Sequence, residues 1–378
     1  MPTGTFLYNL GFYGLLLPVF LWLIVHERAT IQRDYNVGTL SLMVFFAFVA
    51  LHGVLWQPSE QPLSKTLLDT LWNALFVTMA YQCFRLRAMS DTLLPKALMV
   101  TTIIFACVSM TRYGEYAAIL ASGEIPTHSW MIGRAHNPIP IGSLYAMAAL
   151  MSVWLMFQAS PNSLWKSAAA LCMVLTLIVI LMSSQRGPLL ALFIAGGVAL
   201  IVLKKWRLLA LSMLPMVVVA ADYYYYTNHG ASALHLDALH ATIHHYFTGR
   251  DSFRLAIWHK ALELASLRPW QGYGLQAKFT LTGAEGAVNP HNLYLSTLYY
   301  LGIPGLGLLL VPLATAFVYA WRGRHTPYHQ LCLILLVHAV AATFTNYGQV
   351  VKAPAPLWTI YWLPIVMAIA RPPIKPRA

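Results

Sequence analysis

The chain has 378 residues, of which 58% are apolar and only 10% charged, and its mean hydropathy is +0.61. Soluble domains carry about 25% charged residues, so there are too few polar side chains here to clothe a water-facing surface. Disordered chains are excluded by the same apolar excess. What remains is an all-α polytopic membrane protein, because the apolar runs are continuous, whereas barrel strands alternate and are about half as long.

A membrane-crossing helix needs about 20 largely apolar residues. Runs of this kind fall at 6–25, 39–56, 66–84, 93–111, 138–157, 165–184, 188–203, 206–221, 292–321, 329–346 and 353–370. These predict about eleven spans. The first follows the uncharged MPTGT, without a basic region or a small-residue cleavage site, and reads as a retained span. The run at 292–321 is too long for one upright helix and holds Gly302-Ile303-Pro304-Gly305, so a bend is expected there. The organisation expected is therefore eight spans over 1–221, one large loop with amphipathic helices over 222–290, and C-terminal spans over 291–378.

Lys and Arg are enriched in short cytoplasmic loops. Of the 24, fourteen fall on one side of this topology. The other ten are Lys65, Arg112, Arg134, Arg186, Arg250, Arg254, Lys260, Arg268, Lys278 and Lys352, and five of those lie in the long loop, where the rule has little force. The first side is thus cytoplasmic, and the long loop lies outside. The net charge of +12 reflects this topology, and no soluble basic run with interleaved aromatics points to nucleic acid. Cys83, Cys107, Cys172 and Cys332 sit in or beside apolar runs without metal-ligand spacing, so neither a disulfide nor a cysteine metal site is expected.

Polar chemistry collects on the outer side. The loop opens with Tyr223 to Tyr226, which suit a membrane interface. In HLDALHATIHHYF, Asp237, His240 and His244 share a helix face, but a fourth ligand and an HExxH pattern are missing, and a solvated amphipathic helix explains them better than a metal. Next, Asp251 or Ser252 can cap a helix that Pro269 ends. On it Arg250, Arg254 and Trp258 make one stripe, and Phe253, Ile257, Ala261 and Leu264 an apolar one. The stripe of arginines reads either as solvated charge or as guanidinium forks facing an anion, for which the planar fork is suited. Arg186 sits between two apolar runs with almost no loop, where an arginine costs roughly 2.5–3.5 kcal/mol in the bilayer core and less near its surface. Gly187-Pro188 would place it at the end of the sixth span, snorkelling or serving a site. Arg134 and His136 precede the fifth span and read equally as headgroup contacts. In NPHNLYL, Asn289 can cap a helix with Pro290 first, leaving His291 in the first turn, where the helix dipole favours a neutral ring.

Taken together, these residues resemble the O-antigen ligase/polymerase superfamily of bacterial membrane glycosyltransferases. The superfamily is marked by His followed by Asn, Ser or Gln, then nine residues and Gly-x-x-Gly; His291-Asn292 and Gly302-Ile303-Pro304-Gly305 fit this without a gap. Arg254 four residues before Trp258, then Pro269, Gly272 and Gly274, also look like the family, and Arg186 matches its arginine between two central spans. The resemblance covers about 180–310, and the N-terminal half follows only by hydropathy. The length and the single large loop look most like the ligase that joins O-antigen to lipid A-core. Such ligases usually have twelve spans with both ends cytoplasmic, against eleven counted here. The resemblance implies a GT-C-like fold of 11–12 helices in a Gram-negative inner membrane, with a periplasmic active site.

It also implies an undecaprenyl-diphosphate-linked glycan as donor and a sugar hydroxyl of lipid A-core as acceptor. A diphosphate leaves well without an acid, and cations suffice to stabilise its developing charge, whereas the hydroxyl benefits from a base. His291 is then expected to take the proton, and Arg186 and Arg254 to hold the diphosphate. Arg250 and Arg134 would meet lipid phosphates, with Trp258 and Asn292 among the substrate-binding residues. No DxD or ExD triplet and no pair of catalytic carboxylates accompanies them, so transfer without a metal or cofactor is expected, inverting by analogy. An O-antigen polymerase and a protein O-oligosaccharyltransferase share this chemistry. A lipid-linked glycan transporter would need repeated halves with helices broken at mid-membrane, and no repeat is visible.

Overall fold

In the computed structural model of the chain, residues 18, 36–56, 62–86, 90–121, 138–158, 163–182, 186–229, 254–279, 289–352 and 355–372 are described. Among them the architecture is all helical. The helices are α1 (Val37–Trp56), α2 (Leu63–Arg85), α3 (Leu93–Ala121), α4 (Pro138–Met156), α5 (Ser163–Met182), α6 (Arg186–Val202), α7 (Trp206–His229), α8 (Arg254–Leu267), α9 (Leu293–Arg322), α10 (Pro327–Phe344) and α11 (Leu363–Ala370), the last entered through a π-helical turn at Trp358–Trp362. Ten of the eleven apolar runs coincide with helices, and the run at 6–25, with its expected retained span, lies outside the described residues. Among the described residues six helices, α1, α3, α4, α5, α9 and α10, are long and apolar enough to cross a membrane, and α6 and the segment through α11 are shorter apolar helices. The chain is a polytopic all-α membrane protein.

Two boundaries differ from expectation. Helix α7 continues through Tyr223–Tyr226 to His229 instead of opening a loop at 222, because no Gly or Pro follows Pro215 before Gly230. The last apolar run is helical over Trp358–Ala370, shorter than the expected 353–370, and its first turn is π-helical.

Packing follows from which helices are apolar all round. Every residue of α11 is buried, as expected for a helix with no polar face. It packs against α2, α9 and α10, and α10 in turn packs against α4, α6 and α9. Large apolar side chains such as Leu40, Leu51, Ile104, Leu171 and Phe193 stay exposed on the surrounding helices, giving a lipid-compatible outer surface. One end of the bundle is latched by Arg371, whose Nε donates to the Phe84 carbonyl at 2.8 Å, whose Nη1 pairs with Asp91, and whose guanidinium lies 4.2 Å from the centre of the Tyr328 ring.

At the opposite end, α9 is broken where the sequence suggested a bend. Gly302 has φ 68° and ψ −173°, a region open essentially to glycine alone. Pro304 cannot donate to the Tyr300 carbonyl four residues back. The loop after α8 takes over the released groups: Tyr273 N–H donates to the Tyr299 carbonyl at 3.0 Å, Gly274 N–H to the Tyr300 carbonyl at 2.9 Å, and Ile303 N–H to the Pro269 carbonyl at 2.7 Å. The approach is so close that a Cβ at Gly302 would collide with the carbonyls of Pro269 and Trp270, and one at Gly272 with the Tyr300 carbonyl. The two glycine motifs, thirty residues apart, are thus two halves of one backbone clamp that docks α8 on α9. Tyr273 stacks on Tyr299 with ring centres 4.7 Å apart and seals it.

This clamp makes a specific prediction. Gly302→Ala combines strain of about 1–3 kcal/mol with a backbone collision, whereas Gly307, five residues along the same helix, faces open space. Thermal unfolding in detergent is expected to show a midpoint several degrees lower for Gly302→Ala and unchanged or higher for Gly307→Ala. Equal midpoints would refute the clamp.

Candidate active site

The polar residues singled out by sequence gather at the clamped end of the bundle. Arg186 opens α6 rather than ending α5, because Gly187 and Pro188 are tolerated in a first turn. Arg254 is the first residue of α8. His291 lies just outside α9, not in its first turn as expected. The cap is Asn292, whose Oδ1 accepts from the N–H groups of Tyr294 at 3.0 Å and Leu295 at 3.1 Å. Asn292 is 2% exposed, and this cap engages its side-chain oxygen. Asn289, expected as the cap, instead accepts the His291 N–H at 2.9 Å. That bond holds His291 at φ 50°, a left-handed conformation uncommon for side chains other than Asn, Asp and His. Trp258 completes the hold on this loop, its indole N–H donating to the Pro290 carbonyl at 3.1 Å.

The corner that follows α10 ties the three elements together, and sequence reading missed it. Arg254 Nη2 donates to Asn346 Oδ1 at 3.3 Å, and Asn346 Nδ2 donates to Thr345 Oγ1 at 3.0 Å. Asn346 is 3% exposed. Helix α6 reaches it only because residue 187 is glycine: a Cβ there would stand 2.5 Å from Asn346 Nδ2. Gly348 packs its backbone on the Asn289 side chain in the same way. The only signal in the sequence was a polar run, Thr345-Asn346-Tyr347-Gly348, at the end of an apolar helix.

The charges are close enough to act on one another. Burial lowers the pKa of Arg254, and the charge of Arg186 lowers it further. Burial likewise lowers the pKa of His291, with the Arg254 charge adding to the effect. The imidazole is therefore neutral at neutral pH, through burial and a neighbouring cation, and can accept a proton. The guanidinium pair, two like charges drawn together with partial desolvation, offers a ready site for an anion.

His291 also lines a cavity of about 370 Å³, together with Asn289, Asn346, Lys65, Lys352 and others, whereas Arg186 and Arg254 are not among its lining residues. Lys65 comes from the first turn of α2, and Ile139 and Pro140 from the first turn of α4. Arg134, His136, Arg250, Ser252, Asp251, Phe253 and the Asp237, His240 and His244 face lie outside the described residues.

Replacing Arg254 by Met removes the cation that disfavours imidazolium, so the His291 midpoint should rise toward the usual histidine range. Titration of ¹⁵N-histidine-labelled protein should show an acid-shifted His291 in the wild type and an upward shift in Arg254→Met. A downward shift would contradict the arrangement.

Comparison with known proteins meets the same residues. Residues 171–310, which hold Arg186, Arg254, His291 and both glycine motifs, match the family described as O-Antigen ligase. The chain is also 33% identical over 121 residues to the O-antigen ligase of Pseudomonas aeruginosa, a match covering 32% of this chain and 30% of that protein. The matched stretch thus spans just under a third of the relative's length. Through this segment the chain is similar to the O-antigen ligase family.

Proposed function

We propose that the protein transfers a glycan from undecaprenyl diphosphate to a sugar hydroxyl of lipid A-core, at the periplasmic face of a Gram-negative inner membrane. The observation that carries this reading is that Asn346 joins Arg254 to the start of α6, where Arg186 stands, while the Arg254 charge reaches the neutral, half-buried His291 imidazole at the same end of the helix bundle. In a single displacement, a bond forms between the acceptor oxygen and the anomeric carbon as the bond from that carbon to the diphosphate oxygen breaks. The hydroxyl proton passes to a ring nitrogen of His291, and undecaprenyl diphosphate departs with its charge held by Arg186 and Arg254. Such preorganised cations are worth most where charge develops in a partly desolvated site, and a positioned base contributes about 10²–10⁴-fold. Attack opposite the leaving group inverts the anomeric centre.

The remaining expected site residues divide by position. Trp258 holds the His291 loop and Asn292 starts α9, so both act on the substrate through the placement of the imidazole. Arg134 and Arg250 are proposed to meet lipid phosphates. No step calls for a divalent metal, because the two arginines neutralise the leaving group.

The reading is tested with purified full-length protein in nanodiscs, supplied with lipid-linked O-antigen, lipid A-core and EDTA. Transfer is expected in EDTA. His291→Ala and Arg186→Ala should each lower the rate by at least ~100-fold while the protein still inserts. Full transfer by a well-inserted His291→Ala protein would overturn the base assignment, and dependence on added metal would overturn the cationic mechanism.

A further inference from the structure

The cavity beside His291 carries two cations that the transfer chemistry leaves unassigned. Lys65 and Lys352 both line it, no Asp or Glu among the described residues does, and Arg186 and Arg254 are outside its lining. His291 is therefore shared between two cationic regions: it feels the charge of Arg254, and it lines the cavity that Lys65 and Lys352 also line. A base must come within about 3 Å of the hydroxyl it activates. If the guanidinium pair holds the diphosphate, that hydroxyl has to reach the imidazole from the side the diphosphate does not occupy, and the cavity opens there.

We propose that this cavity is the acceptor subsite, and that Lys65 and Lys352 hold an oxyanion, phosphate or carboxylate, of the acceptor saccharide. This rests on the transferase reading given above. The volume of about 370 Å³ lies at the lower end of ordinary ligand pockets, roughly 300–1,000 Å³, which suits a short charged core segment and not a long polymer. Tyr347 and Gln349 supply aromatic and amide surface for sugar rings. The first turns of α2 and α4 form part of the wall, and helix N-termini add positive potential. Lysine, a point charge with three donors on a flexible stem, suits an anion that arrives on a mobile saccharide. The rigid arginine forks suit a fixed diphosphate.

The test measures steady-state transfer and equilibrium binding of lipid A-core in nanodiscs for the wild type, Lys65→Met/Lys352→Met and Lys65→Arg/Lys352→Arg, each checked for unchanged thermal unfolding. The Met variant should raise the acceptor KM at least tenfold, leave the donor KM within twofold and weaken lipid A-core binding to the same extent. The Arg variant should recover most of the loss. Acceptor stripped of phosphate should bind wild type as weakly as intact acceptor binds the Met variant if phosphate is the partner. If stripping changes nothing and carboxyl reduction does, carboxylate is the partner. A rise in donor KM instead, or unchanged acceptor binding in the Met variant, overturns the proposal. The binding measurement needs no turnover, so failure of transfer by the wild type would count against the transferase reading alone.

Discussion

The structure depends on the backbone groups released where α9 breaks. A straight helix would keep the Tyr299 and Tyr300 carbonyls for itself. Gly302 and Pro304 free them, and a buried carbonyl without a partner is costly, so the loop after α8 must satisfy both. Those hydrogen bonds fix α8 on α9 at a distance that only glycine permits. Since Arg254 begins α8 and His291 stands just before α9, the clamp also fixes the cation relative to the imidazole. In this structure the two glycine motifs set that geometry through their backbone contacts.

The electrostatics are arranged by a second device, the corner after α10. Asn346 accepts from Arg254 and contacts α6 at Gly187, so one buried amide registers the two arginine-bearing helices against each other. Asn289 then places His291, with Gly348 packed against it. Bringing two guanidinium groups together in a partly desolvated place is unfavourable in isolation and becomes favourable when an anion lies between them. Burial, with the Arg254 charge adding to it, keeps the imidazole neutral. On the proposed reading, one arrangement both binds a leaving group and prepares a base.

Much of the fold was legible in the sequence. Continuous apolar runs marked ten of the helices, and Gly302-Ile303-Pro304-Gly305 marked the break in α9. Arg186 stood out because charge at the edge of an apolar run is expensive, Arg254 by its stripe with Arg250 and Trp258, and His291 by its place at a helix start and its spacing to Gly302-Ile303-Pro304-Gly305. Local competition was harder to read. Asn289 and Asn292 are both good caps, and the choice of Asn292 moved His291 out of the helix and changed the reason for its neutrality from helix dipole to burial and charge. Asn346, Lys65 and Lys352 were not legible as lining residues of the cavity. They come from the start of α2 and the segment after α10, far apart in the chain, and no local pattern announces a wall of a cavity.

The central claim is that the guanidinium pair holds a lipid diphosphate while His291 acts on the other substrate. Equilibrium binding of undecaprenyl diphosphate to the purified full-length chain, read by native mass spectrometry, separates the two roles. The account predicts that Arg186→Ala and Arg254→Ala each lose binding by tenfold or more, whereas His291→Ala binds as the wild type does. Wild-type binding by the arginine variants, or loss of binding confined to His291→Ala, would contradict it.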